Sequence, residues 1–292
     1  MLQYIEPVFR PPSEGRSLIL QVTNGCSWNR CTFCDMYTQP QKKFRAKAVD
    51  ETLTEIKKVA KMGPQFDKVF LADGDALVLP TRRLLEVLEA IKHHMPWVRR
   101  VSSYCLPRNI RKKSVEDLQQ LQQRGLCMAY VGAESGDNKV LEFINKGETY
   151  ESTLSALTKL KQAGIKTSVM ILNGMGGMKY SQQHAENSAR LMNEAQPDFL
   201  STLVVSYPLG DDKVREGFKG DYELPDQRTL FMEMRHLIDS LELKNTIFRS
   251  DHASNYVTLK GILGQDKQRF LDQLDDAIKG RIALRQEWQR GL

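Results

Sequence analysis

The chain has 292 residues, 41% of them hydrophobic, and a formal net charge of +6. That length and apolar content can bury a sizeable core, as one large domain or two smaller ones. No stretch is apolar and long enough for a membrane span, and residues 1 to 7 lack the basic start and apolar run of a secretory signal, so a cytoplasmic protein with no membrane partner is expected. The moderate positive charge favours an anionic partner and leaves nucleic acid open.

Residues 17 to 23 predict a buried strand. Directly after it stand Cys26, Cys31 and Cys34, and the chain has two other cysteines, Cys105 and Cys127. Thiols stay reduced in a cytoplasmic setting. Three thiolates alone cannot close a structural zinc site, which wants four N or S ligands. They suit an iron–sulfur cluster in which one iron keeps an open position. A Cys31–Cys34 redox pair leaves Cys26 unexplained. A zinc site completed by Asp35 or a distant histidine is the more serious rival.

Further along, residues 49 to 62 predict a helix with Leu53, Ile56, Val59 and Ala60 on one face. A strand over 68 to 72 follows, then a helix from 81 to 94 that Pro80 introduces and Pro96 stops. The pair repeats: strand 99 to 105 with helix 114 to 124, then strand 127 to 132 with helices 138 to 144 and 150 to 163. Strand 166 to 172 leads to helix 182 to 194, with Ser181 as its N-cap, and strand 199 to 206 closes the series. Six strand–helix units predict an α/β fold, a partial (β/α)6 TIM-type barrel over residues 1 to 215. Residues 216 to 292 carry a helix near 225 to 241, a short strand at 246 to 249 and an amphipathic helix from 266 to about 288. They predict a C-terminal α/β cap packed on the core.

In parallel barrels ligands collect at the carboxyl ends of the strands, where the three cysteines fall. Two basic runs follow strand ends as well: Lys42, Lys43, Arg45 and Lys47, then Arg108, Arg111, Lys112 and Lys113. Charge runs are solvated by default. Two on one rim predict an anionic substrate, a carboxylate, a phosphate or RNA. Glu134 ends an apolar strand, where an unpaired carboxylate is costly, so a ligand or hydrogen-bond partner is expected. Cys105 reads as a small buried hydrophobe and Cys127 as structural. His184 is a candidate substrate contact.

With these residues in hand, the chain resembles a radical S-adenosylmethionine (SAM) enzyme. The cysteines stand as Cys26-x4-Cys31-x2-Cys34, where many members have three residues in the first gap. Asp73-Gly74-Asp75 resembles the family's Gly-Gly-Glu motif, with Asp75 in place of Glu and Asp73 in place of the first Gly. Gly132-Ala-Glu134-Ser135-Gly136 resembles the Gly-x-Glu-Ser-Gly stretch of the branch with coproporphyrinogen dehydrogenases, elongator and methylthiotransferase enzymes. The glycine-containing segment around Gly174 resembles one that approaches adenine, a use glycine suits.

The resemblance implies a 4Fe-4S cluster on the three cysteines and SAM held by Phe33, Gly74, Asp75, Glu134, Ser135 and Gly174. It implies reductive cleavage of SAM to a 5′-deoxyadenosyl radical that takes hydrogen from a small-molecule substrate, with a one-electron donor such as flavodoxin or ferredoxin. The tail resembles a group of small radical SAM proteins carrying an Arg-Ser-x-His-x-Ser-Asn stretch. That likeness makes Arg249, His252 and Asn255 the substrate-side catalytic candidates. No second cysteine group exists, so an auxiliary cluster is not expected. The alternative is a non-catalytic zinc- or iron–sulfur-binding module that contacts nucleic acid.

Overall fold

The computed structural model describes residues 2–286, 288 and 290. Its elements, in chain order, begin with β1 (Leu18–Gln21), β2 (Thr23–Asn24), β3 (Arg45–Ala46), α1 (Val49–Ala60), β4 (Lys68–Ala72), α2 (Thr81–His94), β5 (Arg100–Cys105), α3 (Pro107–Arg111) and α4 (Val115–Gln123). Next come β6 (Leu126–Glu134), α5 (Asn138–Phe143), α6 (Tyr150–Gln162), β7 (Lys166–Asn173), α7 (Gly177–Ala195) and β8 (Phe199–Val204). The last are α8 (Asp212–Gly217), α9 (Gln227–Ser240), β9 (Ile247–Ser250), β10 (Leu259–Ile262) and α10 (Lys267–Ile278).

Strand order in the main sheet is β1-β4-β5-β6-β7-β8-β9-β10, with β2 and β3 forming a separate antiparallel ribbon. The run β1-β4-β5-β6 is parallel, as is β7-β8-β9, and β10 lies antiparallel on β9. This is the expected α/β order of a partial barrel, carried further than the sequence reading put it. The strand expected within the cap pairs in register with β8, Ser201 opposite Arg249, and so continues the main sheet.

Contacts divide the chain into two compact units. One comprises Met1–Asn29, Cys34–Val131 and Ser155–Thr167; the other comprises Arg30–Phe33, Gly132–Leu154 and Ser168–Leu292. In the first, α2 buries Leu84, Val87, Leu88 and Ile91, an i, i+3, i+4, i+7 stripe. Each such side chain contributes about 1.5–3 kcal/mol of apolar transfer before entropy is subtracted. Val69, Phe70, Leu71 and Ala72 of β4 are all buried, without alternation, as in a parallel strand covered on both faces. Ser114 and Asp117 form a reciprocal capping box at the start of α4. In the second unit the core gathers Leu141, Ile144, Leu172, Met175, Val214, Phe218 and Tyr222 among others, and Phe33 packs against it.

Two helix boundaries depart from expectation. Helix α7 starts at Gly177, directly after the turn in which Gly174 and Gly177 take φ of +91° and +60°. The glycines compress the whole β7–α7 connection into a few residues, so Ser181 lies inside the helix and is not its N-cap. Helix α10 ends at Ile278, and Gly280 at φ +67° stops it where residues to 288 were expected to continue. Arg285 instead donates to the carbonyls of His252 and Asn255. The expected helix over 287 lies outside the described residues. Among the described residues no helix is long and apolar enough to cross a membrane.

Candidate active site

In the first unit the segment after β1 is closed by the β2–β3 ribbon. One carboxylate oxygen, Asp73 Oδ2, accepts from Gln21 Nε2 at 2.9 Å, Gly25 N at 3.1 Å and Lys42 Nζ at 2.5 Å. Lys42 Nζ also donates to the carbonyl of Ile5. Gly25 has φ +70°, and a Cβ there would lie 2.0 Å from the Lys42 carbonyl oxygen, so only glycine fits. The residue before the first cysteine and the residue eight past the last one are thus tied to Asp73.

Asp75 holds the same segment one step further along. Its Oδ1 accepts from Ser27 N at 2.9 Å, and its Oδ2 accepts from Ser27 Oγ and from Asn109 Nδ2. Burial raises the Asp75 carboxyl above its ordinary range, while the Ser27 and Asn109 hydrogen bonds and the Arg108 charge oppose that rise. A carboxylate offers about four acceptor sites. Three are taken, which leaves room for one more donor. A Cβ on Gly74 would meet Tyr37 at 2.7 Å and the Cβ of Cys26 at 2.9 Å, so the glycine is what lets Cys26 sit against the end of β4. Burial, then the Asp75 charge, pushes the Cys26 thiol up. The Arg108 guanidinium lies 3.8 Å from the Trp28 ring centre, covering the indole two residues past Cys26.

In the second unit residues 30–33 are fastened to the end of α5: Thr32 N donates to the Ile144 carbonyl and Asn145 Nδ2 to that of Arg30. Lys146 Nζ stands 5.8 Å from the Phe33 ring centre and 2.8 Å from Glu134 Oε1. Glu134 takes φ +64°, a left-handed conformation costly for a residue with a side chain and concentrated at functional sites. A Cβ on Gly132 would lie 2.2 Å from Glu134 Oε1, so that glycine makes room for the carboxylate. The hydrogen-bond partner expected for Glu134 is therefore Lys146.

Ser135 and His184 face each other, Ser135 Oγ 2.7 Å from Nδ1 and the Leu172 carbonyl 3.0 Å from Nε2. The carbonyl can only accept, so Nε2 donates to it, while Nδ1 shares a hydrogen bond with the Ser135 hydroxyl. His184 is 1% exposed and both nitrogens are used, which makes it a fixed link between Ser135 and β7.

The sequence reading missed Glu233. This buried residue of α9 accepts from Asn173 Nδ2 at 2.8 Å, Gly174 N at 2.6 Å and Ser181 Oγ at 2.6 Å. It thereby holds the glycine segment after β7. The signal was an acid on the helix face that also buries Leu230, Met234 and Leu237.

The C-terminal candidates separate. Asn255 is spent on backbone, accepting from Val204 N and donating to the Thr202 carbonyl beside β8. His252 Nδ1 accepts from Ser254 N at 3.1 Å. Arg249 is half-buried and hydrogen-bonds the Phe248 carbonyl.

The expected basic rim is thinner than the sequence implied. Lys42 is fully buried against Asp73, and Lys113 is buried with Nζ on the Leu79 carbonyl. Lys47 pairs with Glu55. Lys43, Arg45, Arg111 and Lys112 remain exposed.

Among the described residues no disulfide forms; Cys26, Cys31 and Cys34 are partly exposed and Cys105 is buried. Soft thiols outside any disulfide, in a segment anchored at both ends and with a glycine cradle behind the first, fit an iron–sulfur cluster. Among the described residues no three His, Cys, Asp or Glu side chains meet around a point that could hold one ion. A cubane asks for something else, three thiolates spread over three irons.

Residues 20–192 match the family described as "Radical SAM superfamily". The chain is 25% identical over 198 residues to 4′-phospho-dehydrooxetanocin synthase of Priestia megaterium, covering 60% of this chain and 26% of that protein. The chain thus spans about a quarter of that relative's length. Coproporphyrinogen III oxidase (HemN) from Escherichia coli superposes with a TM-score of 0.57 at 16% identity, over 76% of this chain and 51% of that one. The cobalamin-dependent SAM radical enzyme OxsB, solved with aqua-cobalamin and SAM bound, superposes with a TM-score of 0.54 at 16% identity over 96% of this chain and 38% of that one.

Proposed function

The chain belongs to the radical SAM superfamily, as an enzyme with SAM and a 4Fe-4S cluster for cofactors, and from that premise we propose that Cys26, Cys31 and Cys34 hold the cluster and that the substrate is an anionic small molecule. When bound, the cluster supplies the electron that splits SAM to methionine and a 5′-deoxyadenosyl radical, which takes a hydrogen atom from the substrate. The chain's own residues supply position. One observation carries the assignment: Gly74 lets Cys26 seat against the end of β4 while Asp75 grips the next residue, Ser27, by two hydrogen bonds.

In this reading Asp75 has two tasks. It fixes the cysteine segment through Ser27, and its remaining acceptor site receives the ammonium of the methionine part. Glu134, oriented by Lys146, receives SAM hydroxyl or amino groups, and Ser135, held by His184, fixes the strand end that presents it. Phe33 offers an apolar face for adenine, and Gly174, clamped by Glu233, brings backbone close. His252 and Asn255 shape the loop beyond β9, and Arg249 is the substrate-facing cation.

An anionic substrate is supported by Arg249 and by the exposed Lys43, Arg45, Arg111 and Lys112. The relative from Priestia megaterium is itself named for a phosphorylated compound. A one-electron donor, such as flavodoxin or ferredoxin, reduces the cluster, and five thiols outside any disulfide suit the reducing cytoplasm. The test is Cys31→Ala under anaerobic reconstitution with iron and sulfide. The variant is expected to produce no 5′-deoxyadenosine from SAM, and production at the wild-type level removes Cys31 from the site.

A further inference from the structure

Arg249 of β9 and Lys260 of β10 are direct cross-strand partners. Side chains in such register share one face, with Cβ atoms about 4.5–5.5 Å apart, and like charges so placed destabilise a sheet. Ser201 of β8 is the register partner of Arg249 on its other side. The three therefore form one row, Ser201, Arg249, Lys260, across three adjacent strands.

The face they share is the open one. The opposite face carries Phe248, fully buried, with its ring 5.6 Å from that of Phe270 in α10. On the face of Arg249, by contrast, Phe199, Ser201, Ile247, Arg249 and Ile262 are all partly exposed and Lys260 is exposed. Among the described residues neither Arg249 nor Lys260 makes an ion pair. The only hydrogen bond of the Arg249 side chain there is to the neighbouring Phe248 carbonyl. An edge-strand lysine by itself serves to block strand addition. Setting an arginine opposite it adds repulsion with no structural return.

We infer that Ser201, Arg249 and Lys260 form a subsite for a phosphoryl group of the substrate. The inference rests on the function proposed above and names the chemistry of the substrate's anionic end. A guanidinium fork, an ammonium and a hydroxyl supply donors for the three terminal oxygens of a phosphate monoester, and two cations match its near-double charge. A carboxylate would need only the arginine fork. Occupancy removes the cross-strand repulsion that the free protein carries.

Reconstituted protein is titrated calorimetrically with inorganic phosphate and, separately, with acetate at constant ionic strength. Wild type, Arg249→Gln, Lys260→Gln and the double variant are compared, with iron content and far-UV circular dichroism confirming that each is folded. Saturable phosphate binding is expected in wild type, with acetate at least tenfold weaker. Each single substitution weakens phosphate at least tenfold and the double abolishes it. Equal phosphate binding by wild type and the double variant overturns the subsite, as does no saturable binding by wild type. Acetate binding as tight as phosphate overturns the phosphoryl assignment. Iron uptake and SAM cleavage by wild type in parallel samples report on the cysteine site, so failure there is distinguishable from failure here.

Discussion

Lys42 Nζ lies 2.5 Å from Asp73 Oδ2, and both side chains are wholly removed from solvent. Two charges cost several kcal/mol each to desolvate, and here the cost is offset by close contact, by hydrogen bonds from Gln21 and Gly25 to Asp73, and by one from Lys42 to the Ile5 carbonyl. Removing one partner strands the other. Lys42→Met is expected to lose about 3–5 kcal/mol in chemical denaturation, and Lys42→Met with Asp73→Asn to regain at least half of it. Additive losses in that cycle would show that the two charges do not interact.

Gly74→Ala adds a methyl group into the space occupied by Tyr37 and Cys26. Overpacking of this kind costs about 1–3 kcal/mol. Because the methyl pushes on Cys26, the expected outcome is a folded protein that takes up less than half the wild-type iron. Wild-type iron content in Gly74→Ala would separate the Asp73-Gly74-Asp75 turn from the cluster.

Glu233→Leu keeps a side chain of similar size but removes the acceptor that Asn173, Gly174 and Ser181 share. A buried group left unpaired costs about 1–3 kcal/mol. Weakened SAM binding, by about tenfold in equilibrium titration, is expected with iron content unchanged. SAM affinity equal to wild type would confine Glu233 to holding α9 in place.

Much of this was legible in the chain itself. Helix α2 has the limits that Pro80, the apolar stripe and Pro96 dictate, and β4 reads as a strand because its buried run has no alternation. The cysteine spacing and the position of Glu134 also stood out. What stayed hidden were pairings between distant residues. Lys42 reads as part of a solvated charge run until Asp73, 31 positions later, is brought against it. The strand at 247–250 is too short for periodicity to tell a cap from a sheet edge, and only its pairing with β8 settles that. Helix α7 starts at Gly177 and not at the expected 182, because Gly174 and Gly177 serve a tight turn straight into the helix.

Stability should fall in mild acid through His252. Burial, then the Arg285 charge, lowers the imidazole below its ordinary 6.5, so below that pH the unfolded chain takes up the proton before the folded one does. The contribution is complete above pH 6.5 and is lost as pH drops through 6.5 toward the folded value. His252→Asn removes the titrating group, and its melting temperature is expected to vary less between pH 5 and 6.5 than that of wild type. Parallel profiles would place the proton uptake elsewhere.

The central claim is that Cys26, Cys31 and Cys34 carry a cubane whose fourth iron is open to SAM. Electron paramagnetic resonance of anaerobically reconstituted, reduced protein tests it directly, recorded before and after SAM is added. A cubane signal whose shape changes with SAM, absent from Cys31→Ala, is the expected result. A signal indifferent to SAM, or one that survives in Cys31→Ala, would contradict it.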